Sequence, residues 1–266
     1  MDPLLTLFSE PTADGELPPD LSRLYDGGLQ LAAGSLSANF VTSIDGVAAL
    51  ERRRRSGSAL SDRNPADRFV MGLLRALADA VITGAATVRS EGGQLWSAAQ
   101  LGPPEAGGYS SLGKADPLLV IVTARGEIDP AEPALQEGAL VLTSEVAAPG
   151  LRRRLPARCD VRSLGTAPLR GKTIKQAVLD HGCRRPLTEG GPHLFGSLVA
   201  DGAVDELFLT VAPVLAGRHA DADRLGLLEG LALPPSSFAQ ARLRTVKASG
   251  SYLFLRYGLH PVAQRA

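Results

Sequence analysis

The 266-residue chain carries no excess of charge: lysine plus arginine and aspartate plus glutamate number 28 each. It therefore lacks the positive field on which non-specific nucleic-acid or membrane-surface binding depends. Cysteine is scarce. Cys159 and Cys183 belong to no Cys-x-x-Cys or Cys/His ligand spacing, so neither a metal site nor a disulfide framework is indicated. The four histidines show no spacing with serine and aspartate that suggests a nucleophilic hydrolase. There is no GxGxxG fingerprint, no P-loop and no internal repeat. No apolar stretch is long enough to span a membrane, and the short apolar run in "MDPLLTLFSEPTADGELPPD" has no basic flank, too little for a signal peptide. These absences leave a cytoplasmic protein working on a small molecule, with no nucleic acid, membrane or metal involved.

What is present is an alternation. With 44% hydrophobic residues the length allows one large core, taken here as a single domain over 31–266 behind a Pro/Asp/Gly-rich lead-in over 1–30 that wraps the surface, with one turn of helix at "LSRLYDG". Short β-rich runs such as "SANFVTSIDG" (37–46), "AVITG" (80–84), "PLLVIVT" (117–123) and "ALVLTS" (139–144) alternate with helical stretches at 64–79, 173–182 and 193–202. That order predicts an α/β fold with a largely parallel sheet and helices on both faces. Asn64 is placed to cap the first of these helices, Pro65 suits its first position, and Phe69, Leu73, Leu74 and Leu77 share a face. Near the end, "ARLRTVKASGSYLFLRYG" (241–258) reads as a hairpin and so an antiparallel edge. The long connection at 97–117 is either a lid or an insertion. The arginine runs at 52–55 and 152–154 are solvated faces or anion sites.

Four junctions could carry chemistry. In "LTEGGPHLFGSLVADG" (187–202), Gly190 and Gly191 permit a tight turn with positive φ and Pro192 opens a helix. The amides of Gly190, Gly191, His193 and Leu194 would then face an anion such as a pyrophosphate, or the motif is simply a turn. "AVITGAATVRSEGG" (80–93) repeats the logic with Gly84, Thr87 and Arg89, and "VIVTARGEI" (120–128) with Thr123 and Arg125, a hydroxyl and a guanidinium suited to a ribose phosphate. "SIDG" (43–46) ends the first of these strands with Ser43 and Asp45 on one side, a turn signal or a functional pair. Glu189, at a strand end, could cap a donor, pair with an arginine or face substrate.

Taken together, "NFVTSIDG", "LLRALADAVITGAATVR" and "LTEGGPHLFGSLVADGAVDELFLTVAPVLAGR" resemble the reductase domain of the bifunctional riboflavin-pathway deaminase/reductase, over residues 37 to 258. The resemblance implies a dihydrofolate reductase-like mixed sheet, NADPH as hydride donor, and a homodimer. It implies reduction of 5-amino-6-(5-phosphoribosylamino)uracil, with Gly84, Thr87, Arg89, Thr123, Arg125, Gly190, Gly191 and Leu194 at the cofactor. Asn39, Ser43 and Arg68 would meet substrate, and Asp45 or Glu189 would manage the proton. The His-x-Glu and Pro-Cys-x-x-Cys zinc ligands of the deaminase half do not occur in this sequence, so deamination is not expected of it. Asn39 stands where many members carry lysine, which keeps open a pterin such as dihydrofolate as substrate; a non-catalytic nucleotide-binding protein of the same fold is the further alternative.

Overall fold

The computed structural model describes residues 1–11, 15–50, 56–101, 108–112, 116–219 and 224–260. Its strands are β1 (Leu5–Ser9), β2 (Ser37–Ser43), β3 (Val47–Ala49), β4 (Ala80–Gly84), β5 (Leu118–Thr123), β6 (Leu140–Thr143), β7 (Asp160–Ser163), β8 (Pro186–Thr188), β9 (Glu206–Ala212), β10 (Leu225–Gly226), β11 (Gln240–Ser249) and β12 (Tyr252–His260). Its α-helices are α1 (Pro19–Tyr25), α2 (Ser56–Leu60), α3 (Pro65–Leu77), α4 (Ala85–Glu91), α5 (Pro133–Gln136), α6 (Ala148–Arg154), α7 (Gly171–Asp180) and α8 (Pro192–Ala200).

Ten strands form one sheet in the order β1-β11-β12-β9-β2-β8-β4-β5-β6-β7. From β9 to β7 every neighbouring pair is parallel, whereas β12, β11 and β1 add in antiparallel fashion. The parallel strands are buried on both faces, which is why "LLVIVT" and "LVLT" are nearly continuous apolar runs rather than alternations. One face is covered by α1, α3 and α6 through residues such as Leu24, Leu73 and Leu151. The other is covered by α7 and α8 through Ile174, Val178, Phe195 and Leu198. This is the architecture that the resemblance implies, with helices on both faces and an antiparallel C-terminal edge.

Helix α3 starts where its cap requires. Asn64 Oδ1 accepts from the amides of Ala66 and Asp67 at 2.8 and 3.2 Å, and Pro65 occupies the first turn. The hairpin of β11 and β12 turns at Gly250-Ser251, with Ser249 opposite Tyr252.

One expectation is corrected. The first thirty residues do not simply wrap the surface: β1 hydrogen-bonds to β11 as the outermost strand of the sheet, α1 runs two turns, and Leu4, Leu17, Leu21 and Leu24 lie in the core. The pairing of β1 with a strand about 240 residues away leaves no local signature. Within 97–117, Tyr109 lies against α3 and donates to the carbonyl of Phe69 at 3.0 Å. The run 52–55 lies outside the described residues. In the run 152–154, Arg152 donates to the carbonyl of Val161 and Arg154 to that of Gly126.

Candidate active site

The sheet opens where β8 stops. This strand is only three residues long and ends at Thr188, while β2 continues to Ser43 and β4 to Gly84 on either side of it. Beyond Thr188 the two longer strands therefore have no neighbour between them. The chain leaves as Glu189-Gly190-Gly191 and enters α8. A cleft of about 1800 Å³ occupies this gap and extends over the ends of β4 and β5 on one side and along α3 on the other. That exceeds the usual size of a single small-molecule pocket, and it leaves room for two ligands side by side.

At the β4–β5 end the walls are Gly84, Thr87, Arg89, Thr123, Arg125, Gly190, Gly191 and Leu194. The glycines work differently from expectation. Neither Gly190 nor Gly191 adopts positive φ. Gly190 instead lies against Leu194, where a Cβ would stand 2.6 Å from Cδ2, the movable tip of that side chain. Their amides are also spoken for: Gly190 donates to Thr188 Oγ1 at 3.3 Å and Gly191 to Thr87 Oγ1 at 3.1 Å. The second bond ties the β4–α4 junction to the β8–α8 junction, so the two walls hold each other. What remains for an anion are the amides of His193 and Leu194, which have no acceptor among the described residues, at the positive end of the α8 dipole. Thr123 Oγ1 accepts from the amide of Gly126 at 3.0 Å, which shapes the turn that carries Arg125. Arg125 pairs with Glu127 at 2.8 Å, and Arg89 donates to the main-chain carbonyl of Glu127.

At the α3 end the cleft is lined by Asn39, Asp67, Arg68, Arg75, Trp96 and Glu189. Glu189 is held by Arg75, whose Nη2 lies 2.6 Å from Oε2 and whose Nε donates to both oxygens at 3.1 Å; the side chains are 1% and 7% exposed. The guanidinium is further fixed by the carbonyl of Ser97 and by the Trp96 ring, whose centroid is 5.5 Å away. Arg68 donates to the carbonyl of Leu101 at 2.8 Å. Asp67 is buried in the first turn of α3. Burial pushes its carboxyl above the ordinary value and the charge of Glu189 adds to that, against hydrogen bonds with Thr210 and Ser61 that pull the other way.

Two residues expected at the site lie outside it. Ser43 is buried, its Oγ accepting from the amide of Val47 at 2.9 Å, and it does not line the cleft. Asp45 is exposed and accepts from the amides of Ala216 and Gly217 at 2.9 and 2.6 Å. A hydrogen bond from Ser43 and these amides bring its pKa down to about 2, the opposite of what a proton donor near neutrality needs. Its work is to brace the loop after β9, because short polar side chains at a turn find backbone donors first. Asp67, Arg75 and Trp96 were missed. No local pattern marks them: Asp67 and Arg75 are charged residues that only the packing of α3 buries, and Trp96 lies beyond that helix.

A family model described as the RibD C-terminal domain matches residues 35–249. No curated protein matches the chain. Among solved structures it is similar to a pyrimidine reductase-like protein of Corynebacterium diphtheriae, with 22% identity over 85% of this chain and 92% of that one and a TM-score of 0.63. It is similar to the diaminohydroxyphosphoribosylaminopyrimidine deaminase/5-amino-6-(5-phosphoribosylamino)uracil reductase of Thermotoga maritima, with 18% identity over 86% of this chain and 57% of that one and a TM-score of 0.64. The Saccharomyces riboflavin biosynthesis reductase Rib7 aligns at 12% identity over 86% of this chain and 90% of its own, with a TM-score of 0.60. At these identities the structural likeness speaks to the fold.

Proposed function

The chain belongs to the RibD C-terminal domain family, and from that we propose that it is an NADPH-dependent pyrimidine reductase acting on 5-amino-6-(5-phosphoribosylamino)uracil or a close relative. The observation that carries this reading is the division of one cleft into an end that favours anions and an end that holds a buried acid. The residues present fit a phosphorylated dinucleotide. The amides of His193 and Leu194, unpaired among the described residues, suit a pyrophosphate beside Gly84, Thr87, Gly190 and Gly191. Thr123, Arg125 and Arg89 suit a ribose 2′-phosphate.

NADPH, when bound, supplies the hydride. The chain supplies orientation and a proton. Reduction of an electrophilic C=N or C=O carbon leaves the heteroatom in need of a proton, and Asp67, kept protonated more readily by its burial, is the side chain best suited to hold it. Glu189 is an acceptor locked in place by Arg75, suited to orienting a hydroxyl of the substrate. Asn39 and Arg68 would meet the rest of the substrate, Arg68 its phosphate. Asp45 drops out of the catalytic set, and Ser43 of the substrate-binding set.

A pterin such as dihydrofolate is the second reading. It is favoured by Asp67 together with the uncharged Asn39, a pair suited to a neutral heterocycle that needs protonation rather than to a phosphate.

Consumption of NADPH, followed by loss of the reduced nicotinamide absorbance, tests both readings with the two substrates in parallel. The expected result is turnover with one of them, a preference for NADPH over NADH, and narrowing of that preference in Arg125→Ala. Equal use of both cofactors by the unaltered protein would remove the 2′-phosphate assignment, and cofactor binding without turnover would favour a non-catalytic role. Assembly as a homodimer in the cytoplasm belongs to the same proposal. The oligomeric part is checked by light scattering of the purified protein.

A further inference from the structure

Both arginines at the β4–β5 end of the cleft are tied to one residue. Arg125 engages the Glu127 carboxylate through Nε at 2.8 Å and Nη2 at 3.4 Å, while Arg89 engages the Glu127 main-chain carbonyl. All three residues line the cleft. The Arg125 and Glu127 side chains are 80% and 53% exposed, and an ion pair so solvated contributes little to folding. Its consequence is for what binds. A 2′-phosphate carries nearly two negative charges and must take Arg125 from a carboxylate that then remains close by. A ribose without that phosphate offers hydroxyl donors, for which a carboxylate is the natural acceptor.

We infer that Glu127 sets the cofactor selectivity of this cleft: its carboxylate competes with a 2′-phosphate for Arg125 and accepts the hydroxyl of an unphosphorylated ribose, so that the chain prefers the phosphorylated dinucleotide only modestly. This rests on the reading of the β4–β5 end as the cofactor's ribose site. Arg125 attracts the phosphate, Glu127 tempers that attraction, and the backbone of Glu127 keeps Arg89 at hand.

The test is calorimetric titration of the full chain with two probes, 2′,5′-ADP, which carries the 2′-phosphate, and 5′-ADP, which lacks it. Glu127→Gln keeps the size and removes the charge at an exposed position, so folding is not at stake. The expected outcome is that Glu127→Gln binds 2′,5′-ADP about fivefold more tightly and 5′-ADP no better than before, with the gain shrinking as salt is raised. Arg125→Ala should weaken 2′,5′-ADP alone. Unchanged or weaker 2′,5′-ADP binding by Glu127→Gln, with Arg125→Ala still losing affinity, overturns the role of Glu127 and leaves the ribose-site reading intact. If the unaltered protein and Arg125→Ala bind both probes alike, the 2′-phosphate reading itself falls and takes the inference with it.

Discussion

Asp67 shows how much one side chain depends on its surroundings. In the unfolded chain its carboxyl ionises near the ordinary 3.8, and burial in the fold raises that value. The folded state thus favours the protonated form. The associated stability is fully present below the unfolded value and is lost as pH rises through the higher folded value. Against Asp67→Asn, which cannot ionise, the unaltered protein should therefore lose ground as pH increases across that window. Paired melting curves through the acid range check this, and a constant difference would mean that Asp67 is not raised at all. The same variant should lower turnover by about a hundredfold or more, in line with loss of a general acid, while nucleotide binding at the other end of the cleft persists. At this scale the sequence was least legible. Asp45, beside a glycine and two positions from Ser43, had the look of a functional pair, but backbone amides more than 170 positions away claim its carboxylate. Nothing local marks Asp67 and Arg75, because only the packing of α3 against the sheet buries them.

Among the elements, β8 and α8 build the site, one by being short and the other by starting at the right place. Helix α8 is also clamped from behind: the amide of Glu229 donates to the carbonyl of Pro192 at 3.2 Å, and a Cβ on Gly196 would lie 2.5 Å from the carbonyl oxygen of Glu229. Glycine to alanine inside a helix ordinarily stabilises by about 1 kcal/mol. Here the contact is with backbone, and overpacking of this kind costs about 1–3 kcal/mol. Gly196→Ala is therefore expected to lower stability, measured by urea unfolding; a stabilised variant would show that the 225–230 segment yields easily. The helices and long strands were readable because cap, turn and periodicity signals are local. The two-stranded β3–β10 ladder was not, since its two residue pairs, Leu225 with Ala49 and Gly226 with Val47, join parts of the chain far apart in sequence.

On the scale of the molecule, the N-terminal strand closes one edge of the ten-stranded sheet. The buried Lys247 on β11 donates to Thr6 Oγ1 at 2.7 Å and to the carbonyl of Asp26 at 3.0 Å, and stands 4.4 Å from the centroid of the Tyr25 ring. Removing residues 1–11 would take Thr6 from that buried ammonium, remove Leu4 from the core and bare the edge of β11. Losses of this kind cost several kcal/mol, and an uncovered edge invites pairing between chains. The shortened protein is expected to melt earlier and to elute as aggregates on size exclusion, and an unchanged melt would show β1 to be an ornament. By itself the sequence determined the alternation of strands and helices, the capped start of α3, the C-terminal hairpin and the small-residue junctions after β4 and β8, because each depends on neighbours a few residues apart. Only the tertiary structure decided that a three-residue strand leaves a gap, that Arg75 locks Glu189 while Asp67 is buried at the cleft wall, and that Glu127 holds both arginines, because burial and charge pairing are set by residues that the fold, not the chain order, makes neighbours.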